Sequence, residues 1–253
     1  MDDLLNIRDR RFLITGAASG IGKATTQILA NLGAELILVD YNEEGLHQFI
    51  KQQSSDKLHP LVLDLSEPEQ IKPAIENAVK KYGKLNGMAH IAGIPYITPL
   101  KAIQREKADK LYRVNQYAAV ELIKTFASNK IHSNDGGSAV LISSVYGVVG
   151  SAANVAYAMT KAAIIGITKA LSIELAPKRI RVNCIAPGFI KTKMMEENSF
   201  RFDDEYMQRL NNLHPLGLGE AEDIANGVVF LLSDMSKWMT GAVMNIDGGF
   251  TAQ

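Results

Sequence analysis

Short apolar segments alternate with longer amphipathic segments along the whole chain. The apolar segments are rich in Val, Ile, Leu and Ala, which is typical of strands buried on both faces of a parallel sheet. The amphipathic segments, such as residues 23–32, 68–82 and 153–175, predict helices. The predicted strands are residues 11–15, 35–40, 58–63, 87–92, 138–143, 180–186 and 243–247. This alternation predicts an α/β fold, a doubly wound parallel sheet with helices on both faces.

Residues 191–215 interrupt this alternation. The segment is polar, contains methionines and follows no clear helical or strand period. Segments of this length without regular structure inside a compact domain are usually lids or binding loops. We therefore predict a lid over a binding site, with a surface helix as the alternative.

The composition limits the classes of function. The 253 residues have no formal net charge and no basic stripe, so no nucleic-acid partner is expected. No apolar run approaches the roughly 20 residues of a membrane span. The acidic start, with Asp2 and Asp3, is unlike a secretory signal. We therefore expect a cytoplasmic protein with no membrane partner. The single cysteine, Cys184, is expected to be a buried and unreactive thiol, and the spacing of the histidines predicts no metal site.

A glycine-rich turn, residues 15–22, follows the first predicted strand and opens a helix. Gly16 permits the tight turn, while Gly20 and Gly22 let the backbone approach phosphate and the helix pack on the sheet. Free N–H groups at the start of the helix, near Ser19 and Ile21, would face a pyrophosphate. The turn therefore predicts a dinucleotide site.

Asp40 ends the second predicted strand, where an acidic side chain can accept hydrogen bonds from the ribose hydroxyls of the adenosine. Its charge would repel a 2′-phosphate, and the neighbouring Tyr41 supplies no cation to offset that repulsion. We therefore expect NAD as the cofactor and disfavour NADP. The alternative is that Asp40 only starts a turn with Asn42.

Tyr157 and Lys161 lie four residues apart in a predicted helix and therefore on one face of it. A protonated Lys161 would favour the phenolate and lower the pKa of Tyr157 towards neutrality. Tyr157 could then give or take the proton of a carbinol, and Ser144 could hold the substrate oxygen by a hydrogen bond. These residues predict acid–base chemistry at a carbonyl.

With these motifs in place, the chain resembles the short-chain dehydrogenase/reductases over essentially its full length. The resemblance rests on residues 15–22, Asp64-Leu65, Ala92-Gly93, Asn115, Ile142-Ser143-Ser144, Tyr157 with Lys161, residues 187–192, Thr240-Gly241 and Asp247-Gly248-Gly249. It implies one Rossmann-type domain over residues 1–253 with a seven-stranded sheet. The cofactor half would end near residue 140, and the catalytic and substrate half would contain the lid.

The resemblance also implies roles for individual residues. Asn115 would complete a catalytic tetrad with Ser144, Tyr157 and Lys161, kink a helix and hold a water that relays protons to Lys161. Lys161 would also contact the nicotinamide ribose. The remaining implied cofactor contacts are Asp64 and Leu65 at the adenine, Ile91, Ala92 and Gly93 after the fourth strand, and Pro187, Gly188, Ile190 and Thr192 near the carboxamide.

The chain departs from the family pattern at the fourth strand. The family usually reads Asn-Asn-Ala-Gly there, whereas this chain reads His90-Ile91-Ala92-Gly93. We expect cofactor binding to survive, because much of the contact there is through the backbone. His90 could replace the lost hydrogen bonds. We interpret it as a core histidine whose ring nitrogens are satisfied by hydrogen bonds.

The leading hypothesis for function is an NAD-dependent dehydrogenase or reductase of a secondary alcohol or ketone. The chain is similar to family members that reduce 3-oxoacyl thioesters on a carrier protein or coenzyme A, and Lys178 lies where such enzymes often bind the carrier. Asp40 and the pair Asn134-Asp135 argue against that alternative. A non-catalytic nucleotide sensor is the remaining hypothesis, which the tetrad disfavours. We expect the substrate pocket to be formed by residues 150–155, Phe189 and residues 191–215.

A homotetramer is the expected assembly, with a dimer as the alternative. The apolar helices that begin near Asp109 and Ala153 carry more apolar surface than one sheet layer needs. The segment 238–253 adds Trp238 and Phe250 near the chain end. Such surface is usually buried against a partner, and the resemblance implies two perpendicular two-fold interfaces at these elements.

Overall fold

A central sheet of seven parallel strands organises the protein, in a computed structural model that describes residues 2–53, 55–191 and 204–252. The seven strands are β1 (Arg11–Thr15), β2 (Glu35–Asp40), β3 (Leu58–Val62), β4 (Gly87–His90), β5 (Gly137–Ile142), β6 (Ile180–Pro187) and β9 (Val243–Ile246). Their order is β3-β2-β1-β4-β5-β6-β9. The predicted α/β fold is therefore confirmed, and each predicted strand ends within two residues of the observed one.

Helices cover both faces of this sheet. They are α1 (Asp2–Leu5), α2 (Gly20–Asn31), α3 (Glu43–Gln53), α4 (Pro68–Tyr82), α5 (Arg105–Tyr112), α6 (Ala118–Phe126), α7 (Val155–Leu175), α8 (Asp204–Asn212) and α9 (Ala221–Leu232). Helices α2, α3 and α9 bury their apolar residues against one face, and α4, α6 and α7 against the other. None of the helices in the described part of the chain combines the length and hydropathy that a membrane span requires.

The strand order reverses between β1 and β4, which pair with each other along residues 12–15 and 87–90. The chain leaves β1 towards β2 on one side, and it resumes at β4 on the other side. In open parallel sheets, such a reversal leaves a crevice at the carboxyl ends of the two strands. Thr15 and His90 end these strands, so the crevice opens directly above the glycine-rich turn.

Part of the segment 191–215 is helical, as its alternative interpretation predicts, so the expectation of an irregular loop is wrong in part. Residues 192–203 lie outside the described residues, but α8 occupies Asp204–Asn212. Leu210 on this helix is buried, at 2% exposure, although few apolar residues mark the segment. At the other end of the segment, β7 (Ile190–Lys191) pairs with β8 (Gly219–Glu220), and Lys191 bonds Glu220 at 2.7 Å.

Candidate active site

The glycine-rich turn brings β1, α2 and the end of β4 into close contact. Gly16 has a φ of +69°, and a Cβ on it would lie 3.0 Å from the backbone of Ala92. A Cβ on Gly22 would overlap the carbonyl oxygen of Gly16. Within the described chain, Ser19 precedes α2 without a side-chain capping bond, so the N–H groups of the first turn remain available to an anion. This turn fits a pyrophosphate.

Asp40 is buried at the end of β2, with 8% of its surface exposed. Its Oδ2 accepts the N–H of Ala18 at 3.0 Å, and its Oδ1 accepts the N–H of Asn42 at 3.0 Å. Asp40 therefore does start a turn with Asn42, as its alternative interpretation predicts. Each carboxylate oxygen keeps a second lone pair, so the same side chain can also accept hydroxyl groups from a ligand. Tyr41 beside it is exposed and uncharged.

The other residues implied to bind the cofactor lie along the same edge of the sheet. Leu65 is buried at 7% exposure, whereas Asp64 is exposed and accepts the N–H of Ser66 at 2.8 Å. A Cβ on Gly188 would lie 2.9 Å from Asp247. Residues placed after the carboxyl ends of β4 and β6 are Ile91, Ala92, Gly93, Gly188 and Ile190, while Pro187 is the last residue of β6. Thr192 lies outside the described residues.

Ser144 and Tyr157 meet across the cleft between β5 and α7. The Ser144 side chain lies close enough to the Tyr157 hydroxyl to influence its ionisation, and it accepts the N–H of Tyr146 at 3.2 Å. Tyr157 as a whole is half-buried. Burial raises the pKa of Tyr157 to about 12, the nearby Ser144 side chain opposes that rise, and Tyr146 adds to it.

Lys161 lies one helical turn beyond Tyr157 and is buried, with 4% of its surface exposed. Its Nζ donates to the carbonyl oxygen of Ile142 at 2.9 Å and lies 5.6 Å from the centre of the Tyr157 ring. Burial lowers the pKa of Lys161 to about 8. The expectation that Lys161 would lower the pKa of Tyr157 is wrong for this structure, because burial of the phenol outweighs the opposing influences.

Asn115 lies in a π-helical turn, Arg113–Tyr117, between α5 and α6. Its Oδ1 accepts the N–H of Ile94 at 2.9 Å, and its Nδ2 donates to the Ile94 carbonyl at 3.0 Å and to Thr160 at 3.2 Å. A Cβ on Gly93 would lie 3.3 Å from Asn115 Oδ1 and 3.4 Å from Lys161 Nζ. The structure thus brings the four residues of the implied tetrad together beside the end of β4.

Comparisons with known proteins match this site along almost the whole chain. Residues 16–251 match the family model described as Enoyl-(Acyl carrier protein) reductase. A 3-oxoacyl-[acyl-carrier-protein] reductase FabG of Thermotoga maritima is 39% identical over 240 residues, which are 94% of this chain and 96% of that protein. The chain belongs to the short-chain dehydrogenase/reductase family. A second family member, Short-chain dehydrogenase/reductase aba4 of Botryotinia fuckeliana, is 35% identical over 94% of this chain and 95% of its own length.

Solved structures of short-chain dehydrogenase/reductases superpose closely on this chain. One from Mycobacterium marinum is 27% identical with a TM-score of 0.92, covering 99% of both chains. A 4-hydroxyisoleucine dehydrogenase complexed with NADH is 31% identical with a TM-score of 0.89, covering 97% of this chain and 100% of that one. A metagenomic blue fluorescent protein in complex with NADPH is 25% identical with a TM-score of 0.88, covering 97% and 99%. The protein is therefore an oxidoreductase of this family that uses a nicotinamide cofactor.

An aromatic cluster begins two residues after Ser144 in this short-chain dehydrogenase/reductase. The Tyr146 ring lies edge-on to Phe189 at 5.7 Å and to Phe250 at 6.4 Å, between ring centres. His214 lies 4.9 Å from Phe250. Its Nε2 accepts the N–H of Phe189 at 3.2 Å, and its Nδ1 donates to the carbonyl of Leu210 at 2.6 Å.

Sequence analysis did not connect these four rings. The sequence places Phe189 and the segment that contains His214 at the expected pocket, but it places Phe250 at an expected subunit interface. Tyr146 carried the one available signal, because it lies two residues after Ser144. The rings come from the ends of different elements, so no local period marks them.

Proposed function

We propose that the enzyme transfers hydride between NAD(H) and a secondary alcohol or ketone, with Tyr157 as general acid and base. The observation that carries this proposal is the Tyr157 hydroxyl beside Ser144, with the buried Lys161 one turn further along α7 and its Nζ 5.6 Å from the centre of the Tyr157 ring. A binding module would need the turn but has no use for a buried lysine beside a partly accessible tyrosine. The bound cofactor would supply or accept the hydride, and the protein's residues handle the proton.

The geometry suggests a role for each residue of the tetrad. In reduction, Ser144 would hold the carbonyl oxygen while the Tyr157 hydroxyl donates a proton to it. A phenol with a raised pKa is protonated at neutral pH, which is the form that reduction needs. Lys161, held in place by its hydrogen bond to the Ile142 carbonyl, would orient Tyr157. Asn115 would hold the chain after β4 in place through Ile94.

Cofactor selection should follow Asp40. Its buried carboxylate can accept ribose hydroxyls but would repel a 2′-phosphate, and like charges placed together cost several kcal/mol. We expect NADH to bind about tenfold or more tightly than NADPH, measured by fluorescence titration of both. The double variant Asp40→Ala, Tyr41→Arg should reverse the preference, and Tyr41→Arg alone is the control that keeps the carboxylate. Tighter binding of NADPH to the unmodified protein would contradict this prediction.

The substrate class is open between simple ketones and acyl thioesters. The relatives named 3-oxoacyl-[acyl-carrier-protein] reductase favour the thioester. Lys178, the basic residue that could contact a carrier, donates to the carbonyl of Ala127 at 2.8 Å and is therefore engaged within the subunit. We favour a substrate that fits the aromatic cluster of Tyr146, Phe189, His214 and Phe250.

A substrate panel separates these alternatives. Hydroxyacyl thioesters, steroids, sugars and polyols would be tested for turnover with NAD(H) and NADP(H), and Tyr157→Phe would serve as the inactive control. Turnover of 3-oxoacyl thioesters alone would select the carrier-type reductase. Tight NADH binding with no turnover of any class would select the nucleotide sensor.

We also propose a homotetramer, supported by exposed apolar residues on the elements expected to form interfaces. Trp238 is 97% exposed, Ile173 on α7 is 76% exposed and Tyr117 beside α6 is 54% exposed. Light scattering over a concentration series should give the mass of four chains, with a dimer as the runner-up. A stable monomer at micromolar concentration would refute the assembly. The cytoplasmic location, the boundary of the two halves near residue 140 and the lid at residues 191–215 stay predictions from the sequence.

A further inference from the structure

His90 is a buried titratable residue that the proposed mechanism does not use. It ends β4 beside the cofactor crevice, with 2% of its surface exposed. Its Nδ1 lies 2.9 Å from the hydroxyl oxygen of Thr15, the last residue of β1. His90 therefore connects the two strands at which the order of the sheet reverses.

The hydrogen bonds of Thr15 fix the protonation state of His90. The Thr15 hydroxyl oxygen accepts the N–H of Ile91 at 3.0 Å and the N–H of Ala92 at 3.1 Å. A hydroxyl has two lone pairs and one proton. Both lone pairs of the Thr15 hydroxyl accept these N–H groups, so the hydroxyl must donate its proton in a hydrogen bond to His90 Nδ1. The imidazole is consequently neutral and carries its hydrogen on Nε2.

The Nε2–H group of His90 faces the π-helical turn that contains Asn115. It is fully buried and has no hydrogen-bond partner of good geometry among the described residues. The backbone of Val114 and Asn115 lies close enough to raise the pKa of the imidazole, as nearby carbonyl groups do. Burial and the nearby charge of Lys161 oppose this more strongly and lower the pKa of His90 to about 3.

We propose that His90 is a positioning residue, a neutral imidazole that accepts the Thr15 hydroxyl and thereby directs the Thr15 oxygen to the backbone N–H groups of Ile91 and Ala92. The next residue, Gly93, packs against Asn115, which holds the backbone of Ile94 and the side chain of Thr160 on α7. The imidazole thus helps to fix the chain after β4, between the glycine-rich turn and the helix that carries Tyr157 and Lys161. The kinetic readout of this inference rests on the proposed function.

Two substitutions at His90 separate positioning from simple space filling. His90→Leu keeps an apolar filler but removes both nitrogens, which leaves the Thr15 hydroxyl without its acceptor. His90→Asn restores one acceptor and one donor on a shorter side chain. His132 supplies a matched control, because it is also buried with an unpartnered Nε2, but it lies at the amino end of the sheet, beside Leu85.

We expect His90→Leu to lower kcat about tenfold to a hundredfold, because small displacements of catalytic groups have effects of this size. The pH profile of kcat should shift with it, and KM for the cofactor should change less. His90→Asn should recover most of the lost kcat. His132→Leu should lower the midpoint of urea unfolding while kcat, measured on the folded enzyme, stays at the wild-type value. Wild-type kcat and pH profile in His90→Leu would overturn the inference.

The tautomer of His90 provides a test that needs no activity. Nitrogen-15 NMR of the imidazole, with His90→Asn to assign the signal, should show the neutral Nε2–H form from about pH 5 to about pH 9. An Nδ1–H form, or protonation near pH 6, would overturn the inference. If the wild-type protein turned over no substrate, the proposed function would fail, while the tautomer would still support or overturn the assignment of His90.

Discussion

Replacing Tyr157 by phenylalanine is expected to lower kcat by about 10²–10⁴, the contribution of general acid–base catalysis. The ring still occupies the same place, but the hydroxyl that lies beside Ser144 and would meet the substrate oxygen is lost. NADH affinity should change little. Initial rates on a substrate from the panel and a fluorescence titration with NADH measure the two effects separately.

Tyr146→Phe is the matched control for this experiment. It also removes one phenolic hydroxyl, and the Tyr146 ring contributes to the aromatic cluster next to the Tyr157 site. Its effect on kcat should be far smaller, and the pKa of Tyr157 should fall slightly because Tyr146 raises it. Comparable losses in the two variants would show that Tyr157 has no special role in proton transfer.

Replacing Lys161 by methionine should abolish most activity and yet stabilise the protein at neutral pH. The pKa of Lys161 falls from 10.5 to about 8 because the folded state buries the ammonium. Below about pH 8 both the folded and the unfolded chain carry the charge, and the folded chain bears the full burial penalty, roughly 3 kcal/mol at 1.36 kcal/mol per pKa unit. Loss of the bond to Ile142 will offset part of the gain.

The stabilisation expected from Lys161→Met depends on pH. The unfolded chain binds more protons than the folded one between about pH 8 and about pH 10.5, so the wild type gains stability there as pH rises. The free energy of unfolding of Lys161→Met, measured with urea, should therefore exceed that of the wild type by less and less as the pH rises through this range. Lys169→Met, at an exposed position two turns along α7, is the control and should change neither stability nor activity much. A Lys161→Met protein less stable than wild type at pH 7 would contradict the account.

The sequence predicted the parts of the fold and the site that follow local patterns. Strand positions came from apolar runs, and the dinucleotide turn came from glycines that follow β1. Asp40 is identified because it is the acidic residue that ends the second predicted strand. In each case the residue's neighbours in sequence are also its neighbours in space.

The features that the sequence did not predict depend on tertiary packing. The pKa of Tyr157 depends on how deeply the phenol is buried, and no spacing reveals that. Helix α8 buries Leu210, which no clear apolar period in the sequence indicates. The bond between Thr15 and His90 joins residues 75 positions apart. The prediction of a core histidine with both nitrogens hydrogen-bonded is right about burial and about Nδ1, but Nε2 has no partner among the described residues. The state of the two nitrogens follows only from the contacts of Thr15.

The central claim, hydride transfer by this site, is tested most directly by isotope transfer. NADH carrying deuterium at the transferable position of its nicotinamide ring would be incubated with the enzyme and a ketone of the panel, and the alcohol product would be analysed by mass spectrometry. The account predicts deuterium on the carbinol carbon with the wild-type enzyme and about 10²–10⁴ less of it, at equal times, with Tyr157→Phe. Saturating NADH binding with no deuterium in any product, or equal transfer by Tyr157→Phe, would contradict it.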